Sequence, residues 1–591
     1  MTEDHGTASG GAGEETPLLR EQGNIKGDDA SSKTLTARQG VDEEELLDPD
    51  RANQQVGRGR GILIILSLWG LIFLQAANMS GITTTQSKIA EDLDAFDSAS
   101  WFTSAYLIAS SSISPLSARL AQVFSPRTCV LAASFLFAIG GVVASQAPDL
   151  AHFLVGRAIQ GFGGAGIMTI SFILVLELSG KRRRGLYIGL VNTGFTTGVS
   201  FGAVIAGALL PVAGWRFLFW IQGPLAIAFG TGIFFSIPSH FTSGQEDDGS
   251  SIRAKLARID YLGAITLTVT ISLFLFGLSW QNVLWLPIVG SLLLLICFIC
   301  IEVYVAAEPI VPISVLKSRG ALLSCVAQLG IMASRWSILF YTPAYAIAIR
   351  GWSPASAGSI LIPTNLGFAV GGILAGGLHI KRTGSFWLPS IVSYSLFACS
   401  IALLSQITNQ NTPTLLYLLA VFVNGLCIGS ALNYTLAHLL HLTPPSTHFI
   451  STSLLTTFRG FAGSFGSAIG GGLFVRVLKA ELESGFEKHG GLEGREALVR
   501  RLLGSPALVK GLVGEERTIA VNGYVDALKA LFVAGTGLAV LMVVIQAATG
   551  WKEPVDVKKE SRNGNGNGRE VENGPLRVED EDWEEGLEQG V

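Results

Sequence analysis

Leu154–Gly166 reads LVGRAIQGFGGAG. One arginine, one glutamine three residues later and five glycines sit in an apolar run over 152–178. Crossing a hydrocarbon core takes about 20 such residues. A cation inside such a run is costly and normally faces a partner or a wet cavity. Arg157 lies about six residues from one end of the run, within snorkelling reach of an interface. The glycines let a second backbone approach closely.

Working outward, the same character holds along most of the chain. The 591 residues are 49% hydrophobic and only 15% charged, where soluble domains carry about 25% charge. That excess of apolar surface predicts an integral membrane protein. The net charge of −4 and the absence of a long basic block leave no case for nucleic acid. The six cysteines fall in apolar segments without disulfide or metal-ligand spacing.

Apolar runs fall near 62–84, 100–120, 128–147, 152–178, 186–210, 215–237, 261–280, 283–305, 321–346, 355–378, 387–406, 414–437, 450–477 and 527–550. They predict an all-α membrane protein of about 14 spans, because lipid-exposed backbone must satisfy its hydrogen bonds within the segment. Lys and Arg alternate between connections. Arg127, Lys181–Arg184, Arg253 with Lys255 and Arg258, Lys317 with Arg319, and Lys381 with Arg382 fall on one side. The positive-inside bias then places both termini in the cytosol.

The expected organisation is a disordered tail over 1–60, a six-helix bundle over 61–237 and a linker with two extra helices over 238–320. A second six-helix bundle over 321–550 contains a long non-cytosolic loop, 479–525. An acidic disordered tail over 551–591 ends the chain.

Inside the spans the polar residues are sparse and patterned. Gly194, Gly198 and Gly202 recur every four residues, with Gly207 beyond them. A stripe of that kind serves rigid and rocking bundles alike. Arg335 and Arg459 lie deeper than Arg157 and are candidates to line a cavity or contact substrate. Asn78, Gln160, Asn192, Gln328, Trp336, Tyr341, Asn365, Asn424 and Asn433 are the other mid-depth candidates, as cavity lining or as interhelical glue. No Asp or Glu falls at mid-depth; Glu177 and Glu302 lie near span ends.

Four stretches carry a family resemblance: LVGRAIQGFGGAG, NTGFTTGVSFGAVIAGALLP (Asn192–Pro211), WRFLFWIQGP (Trp215–Pro224) and IDYLGA (Ile259–Ala264). Together with ASWFTSAYLIA (Ala99–Ala109) they resemble the major facilitator superfamily over roughly residues 60–550. The nearest group is that of the fungal 14-span drug:proton antiporters, which includes efflux pumps and vacuolar amino-acid carriers.

The resemblance implies alternating access of two bundles about a midplane site. Arg157, Gln160 and Gly161 would be signature residues there, and Gly198, Gly202 and Gly207 match the antiporter helix. It also exposes two departures. Asn78 stands at the first-helix aspartate, and Gln122 stands at the aspartate of the loop between spans two and three. Arg119 and Arg127 keep the positive flanks of that loop, and Arg182, Arg183 and Arg184 follow downstream near Glu177. A latch weaker than the family's, or one built from other contacts, is implied.

The expected function is secondary active transport of small organic molecules, proton-coupled, by a monomer in the bilayer. Alternatives are a vacuolar carrier of basic amino acids and a non-transporting receptor. With no GxxxxGK[ST] and no converging Ser/His/Asp or metal-ligand set, no enzyme activity, cofactor or metal is expected. Glu14 with Leu18 and Leu19 has the spacing of an acidic dileucine signal for adaptor proteins. It would direct the protein to the vacuolar membrane, with the plasma membrane the competing address.

Overall fold

The computed structural model describes residues 58–178, 184–237, 260–279, 283–305, 318–380, 386–443, 448–489 and 494–550. Nearly all of them are helical. The first helices are α1 (Arg58–Asp92), α2 (Trp101–Val123), α3 (Pro126–Ser145), α4 (Leu150–Leu178) and α5 (Arg184–Ser236). Then come α6 (Tyr261–Ser279), α7 (Trp285–Tyr304), α8 (Arg319–Ala344), α9 (Pro354–Gly358), α10 (Leu361–Ile373), α11 (Trp387–Ile407) and α12 (Thr414–Leu442). The last are α13 (His448–Lys488), α14 (Glu496–Gly504) and α15 (Gly514–Ala547). Among the described residues, 12 helical runs are long and apolar enough to cross a membrane.

Breaks fall where the backbone chemistry demands them. Gly214 takes φ 75° and divides α5 into two limbs, a conformation that costs glycine little. Pro126 occupies the first turn of α3 behind an extended Ser125, where a missing N–H is harmless. Ser353 caps α9 by accepting from Ser356 N at 3.3 Å, with Pro354 at the first helical position. Within the helices, hydroxyls such as Ser134 and Thr231 return hydrogen bonds to the carbonyl four residues back. That satisfies polar side chains without water.

The helices pack as two groups. In the first, α1 lies along α5, α3 along α4 and α5, and α2 along α4. In the second, α8 packs on α13 and α15, α10 on α12, and α11 on α12 and α15. The groups meet along two seams, α2 against α13 and α5 against α9 and α10. The α6–α7 pair lies outside the first seam, with α6 touching both α2 and α13. Thr268 Oγ1 donates to Ser112 O at 3.3 Å, Arg476 to Leu278 O at 3.2 Å, and Phe274 meets Phe465 at 5.8 Å.

One end of the molecule carries residues 93–100 and is called here the first-loop face; the other is the tail face. The segment expected as a loop over 479–525 is largely helical. α13 runs on to Lys488, α14 and a 3-10 turn (Pro506–Gly511) follow, and α15 starts at Gly514. Its apolar side, including Val499, Leu502 and Leu503, is buried. The stretch EALVRRLL (Glu496–Leu503) therefore builds a packed helix rather than an open loop.

Candidate functional site

Each group of helices is organised around a buried arginine. Arg157 is completely buried. It does not snorkel: the side chain turns into the first group, where neutral acceptors surround it. Its Nη1 donates to Asn78 Oδ1 at 2.6 Å and to Gln160 Oε1 at 2.9 Å, and its Nε donates to Phe102 O at 2.9 Å. The guanidinium lies over Tyr106 at 4.6 Å and Phe219 at 5.5 Å, an attraction that strengthens away from water.

The network extends through Gln222. Its Oε1 accepts from Asn78 Nδ2 at 2.6 Å and Gln160 Nε2 at 3.1 Å, while its own Nε2 donates to Leu218 O. Gln75 donates to Tyr106 OH at 3.2 Å. Thus α1, α2, α4 and the second limb of α5 are pinned at one point. Gln222, Gln75 and Tyr106 were not singled out from the sequence. Gln222 could have been, since it stands inside WRFLFWIQGP as a mid-helix amide. Gly161 is pressed against Tyr106 O and Ala109, so α4 and α2 nearly touch there.

In the second group Arg335 is 3% exposed. Its Nη2 donates to Asn365 Oδ1 at 3.0 Å and its Nη1 approaches Thr364 Oγ1 at 3.5 Å. The guanidinium sits over the Phe368 ring at 4.8 Å. Arg459 is half-buried, and no hydrogen bond or ion pair joins it to another described residue. Trp336 stacks on Phe340 at 5.3 Å and meets Phe195 of the first group edge-on at 6.2 Å. Tyr341 packs on Phe474 at 4.7 Å.

The other expected site residues divide. Asn433 donates back to Gly429 O of its own helix, beside Gly372 and Gly376, and Asn424 donates to Ser400 at 2.9 Å. Both act as glue. Asn192 is half-buried on α5. Gly194, Gly198 and Gly202 face Trp69, Ala76 and Ser80 of α1, so that stripe packs within one group. Gly207 instead faces Pro354 and Ala355 across the seam.

Arg127 donates to Ile237 O at 3.2 Å and lies over Phe234 at 5.1 Å, tying α3 to the end of α5. The side chains of Arg119, Gln122, Glu177 and Arg184 lie outside the described residues. So do Arg182, Arg183 and the dileucine signal at Glu14, Leu18 and Leu19.

At the first-loop face the groups are clasped. Arg500 of α14 donates to Asp97 at 2.7 Å and pairs with Asp94 at 3.2 Å. The Asp97 carboxylate raises the Arg500 guanidinium above its ordinary value. Gly504 lies against the Phe96 backbone. Beside this, a cleft of about 670 Å³ is lined by Lys88, Asp92, Trp215, Arg216 and Pro354, among others. It opens at the surface, away from the buried arginines.

The Arg500 ion pairs are exposed and therefore screened by salt. Arg500→Glu is expected to speed hydrogen exchange of the α14 amides a few-fold at low ionic strength. The difference should shrink at about 1 M salt, where the screening length is about 3 Å.

Two helical groups meeting along largely apolar seams, each with a buried cation held by neutral acceptors, define a multi-pass membrane transporter. The chain belongs to the Major Facilitator Superfamily, whose family model matches residues 68–467. It is similar to the multidrug resistance protein fnx1 of Schizosaccharomyces pombe, at 25% identity over 474 residues, covering 78% of this chain and 88% of that one. It is 28% identical over 434 residues to the vacuolar membrane amino acid uptake transporter fnx2 of the same yeast, covering 70% and 72% respectively. Among solved structures, a bacterial homologue of the human lysosomal transporter Spinster has a TM-score of 0.56 at 13% identity, over 83% of this chain and 97% of that one. The likeness extends to the fold. The protein is a transporter and not an enzyme.

Proposed function

We propose that this transporter is a 14-span carrier that exports or sequesters small organic molecules by alternating access. Both tails would lie in the cytosol, with the first-loop face opposite. Dividing α5 at Gly214 and adding the 23-residue α2 brings the twelve runs to fourteen.

The observation that carries the reading is the contrast between groups and seams. The polar networks of Arg157 and Arg335 each stay within one group. Across the α2–α13 seam, Ser111 supplies the hydrogen bonds among the described residues, to Ser464 at 2.9 Å and Gly460 O at 3.5 Å. Apart from the exposed ion pairs of Arg500 with Asp94 and Asp97 at the first-loop face, the groups otherwise meet through small residues and aromatic edges, such as Gly207 against Ala355 and Phe195 against Trp336. Rigid halves with weakly bonded seams suit rocking about a central site.

Site roles follow from position. Arg157 with Asn78, Gln160 and Gln222 would hold the first half rigid and transmit the state of α1 to α4. Arg335, Trp336, Asn365 and Arg459 would face the transported molecule, with Asn192 and Tyr341 at the margin. Gln122, Arg119 and Arg127 with the basic cluster at 182–184 and Glu177 would form the tail-face gate. Glu14, Leu18 and Leu19 would recruit adaptors and favour a vacuolar over a plasma-membrane address. A basic amino-acid cargo is disfavoured, because the mid-depth charges described are cationic.

Proton coupling is the energy source proposed. Proteoliposomes with an imposed pH gradient should accumulate substrate, and collapsing the gradient should cut the rate at least about tenfold. Flux indifferent to the gradient would make the protein a facilitator.

A further inference from the structure

We infer that the second half carries a binding site for the acidic group of an organic anion, formed by Arg335, Arg459 and the amide of Asn365. The inference rests on the carrier reading for its meaning as a substrate site, but the site itself stands on geometry. Arg335 is buried, yet its hydrogen-bond partners are a neutral amide oxygen and a distant hydroxyl. Among the described residues no carboxylate pairs with it.

Asn365 is 4% exposed, and its Nδ2 is buried without a hydrogen-bond partner. Its oxygen is committed to Arg335, so the amide group has a donor left over. Arg459 adds a second guanidinium without a described partner, one turn of α13 before Gly463, which faces the indole of Trp336, the neighbour of Arg335 in the chain. These donors thus gather in one half with no carboxylate among the described residues to balance them. Buried donors and charges are normally paired. The acceptor that completes this set is one that arrives: a carboxylate, sulfonate or phosphate, which a guanidinium grips through two parallel bonds.

The surroundings fix the rest of the ligand. Gly460, next to Arg459, is exposed, and nothing lies within 4 Å of where its Cβ would be. Space for a molecule therefore exists beside the cation. Gly463, one turn along the same face of α13, lies against the Trp336 indole. Trp336, Phe340 and Phe195 form an aromatic wall at that level. The ligand class is an anion with an aromatic or otherwise apolar body.

The test uses purified full-length protein and two impermeant probes of equal body, 2-naphthalenesulfonate and (2-naphthylmethyl)trimethylammonium. The sulfonate should bind at least about tenfold more tightly. Asn365→Asp puts a carboxylate where the Arg335 guanidinium already rests, and should weaken the sulfonate by about thirtyfold with the fold intact. Arg459→Gln should weaken it in the same direction, while Arg335→Lys, a point charge without the fork, should weaken it less than Asn365→Asp.

Equal binding of the two probes, tighter binding of the cation, or an unaffected Asn365→Asp would overturn the site. Uptake of each probe into proteoliposomes separates this from the carrier reading. Sulfonate bound but never moved leaves the site and removes the carrier. The ammonium bound and moved leaves the carrier and removes the site.

Discussion

Arg157→Ala is expected to bring transport to background while the protein still folds. The substitution removes three hydrogen bonds, to Asn78, Gln160 and Phe102, and the cation–aromatic contacts with Tyr106 and Phe219. The acceptors left behind are buried, at about 1–3 kcal/mol for each that finds no new donor. Two effects limit the loss. The side-chain amides of Asn78 and Gln160 already share Gln222, and removing a buried cation relieves its own desolvation. Net destabilisation of about 2 kcal/mol leaves a folded protein whose α1, α2, α4 and α5 are no longer held in one register. Arg157→Lys keeps the charge but not the planar fork, and should retain only a fraction of the rate. Transport in vesicles, alongside gel filtration and thermal unfolding, checks both variants. Full activity in Arg157→Ala would remove the residue from the mechanism.

The second large effect is expected at Gly358. A Cβ there would lie 2.6 Å from the Ala203 carbonyl carbon and 2.8 Å from Val204 N. These are backbone atoms and cannot rotate away, so α9 and α5 must part. A Cβ on Gly207 would likewise lie 2.6 Å from Ala355 N, on the other side of the same contact. Overpacking of this kind costs about 1–3 kcal/mol, and each 1.4 kcal/mol shifts a two-state population about tenfold. In Gly358→Ala the seam should open at the first-loop face and transport should slow by about tenfold or more. Spin labels at the exposed positions Val212 and Ser353 should move apart. Gly425→Ala is the contrast. Its Cβ would press on Thr364 and Phe368 inside the second group, so it should lower thermal stability and leave the label distance unchanged. Equal label distances in Gly358→Ala and the parent would place the hinge elsewhere.

Much of the scaffold was legible because it depends on composition along a line. The span positions and the break after Pro211 need only hydropathy and a glycine, and residues 186–210 and 215–237 fall on the two limbs of α5. Arg157, Gln160 and Asn78 could each be named as polar intruders in apolar runs. Their union could not, because it depends on which faces of α1, α2, α4 and α5 meet. For the same reason Arg157 looked able to reach an interface, and Gln222 went unremarked in a motif already quoted. The glycine stripe showed that close contact occurs, but not with which helix. Gly198 and Gly202 proved to serve α1 and only Gly207 the seam. The helical character of 496–504 was masked by its charge, which lies on the exposed side of α14 while Leu502 and Leu503 point inward.

The α6–α7 pair makes the molecule's surroundings unequal. Along the α2–α13 seam, α6 contributes Leu267, Ile271 and Leu275 to a buried cluster with Ile108 and Ala468, and α7 turns Leu286 and Leu293 outward. An oily cargo dissolved in the membrane therefore meets a wall on that flank. Among the described residues no helix covers the α5–α9–α10 flank in this way, and a sideways approach from the lipid would use it. Two helices that hold neither buried arginine would thus set which neighbours in the bilayer the transporter samples.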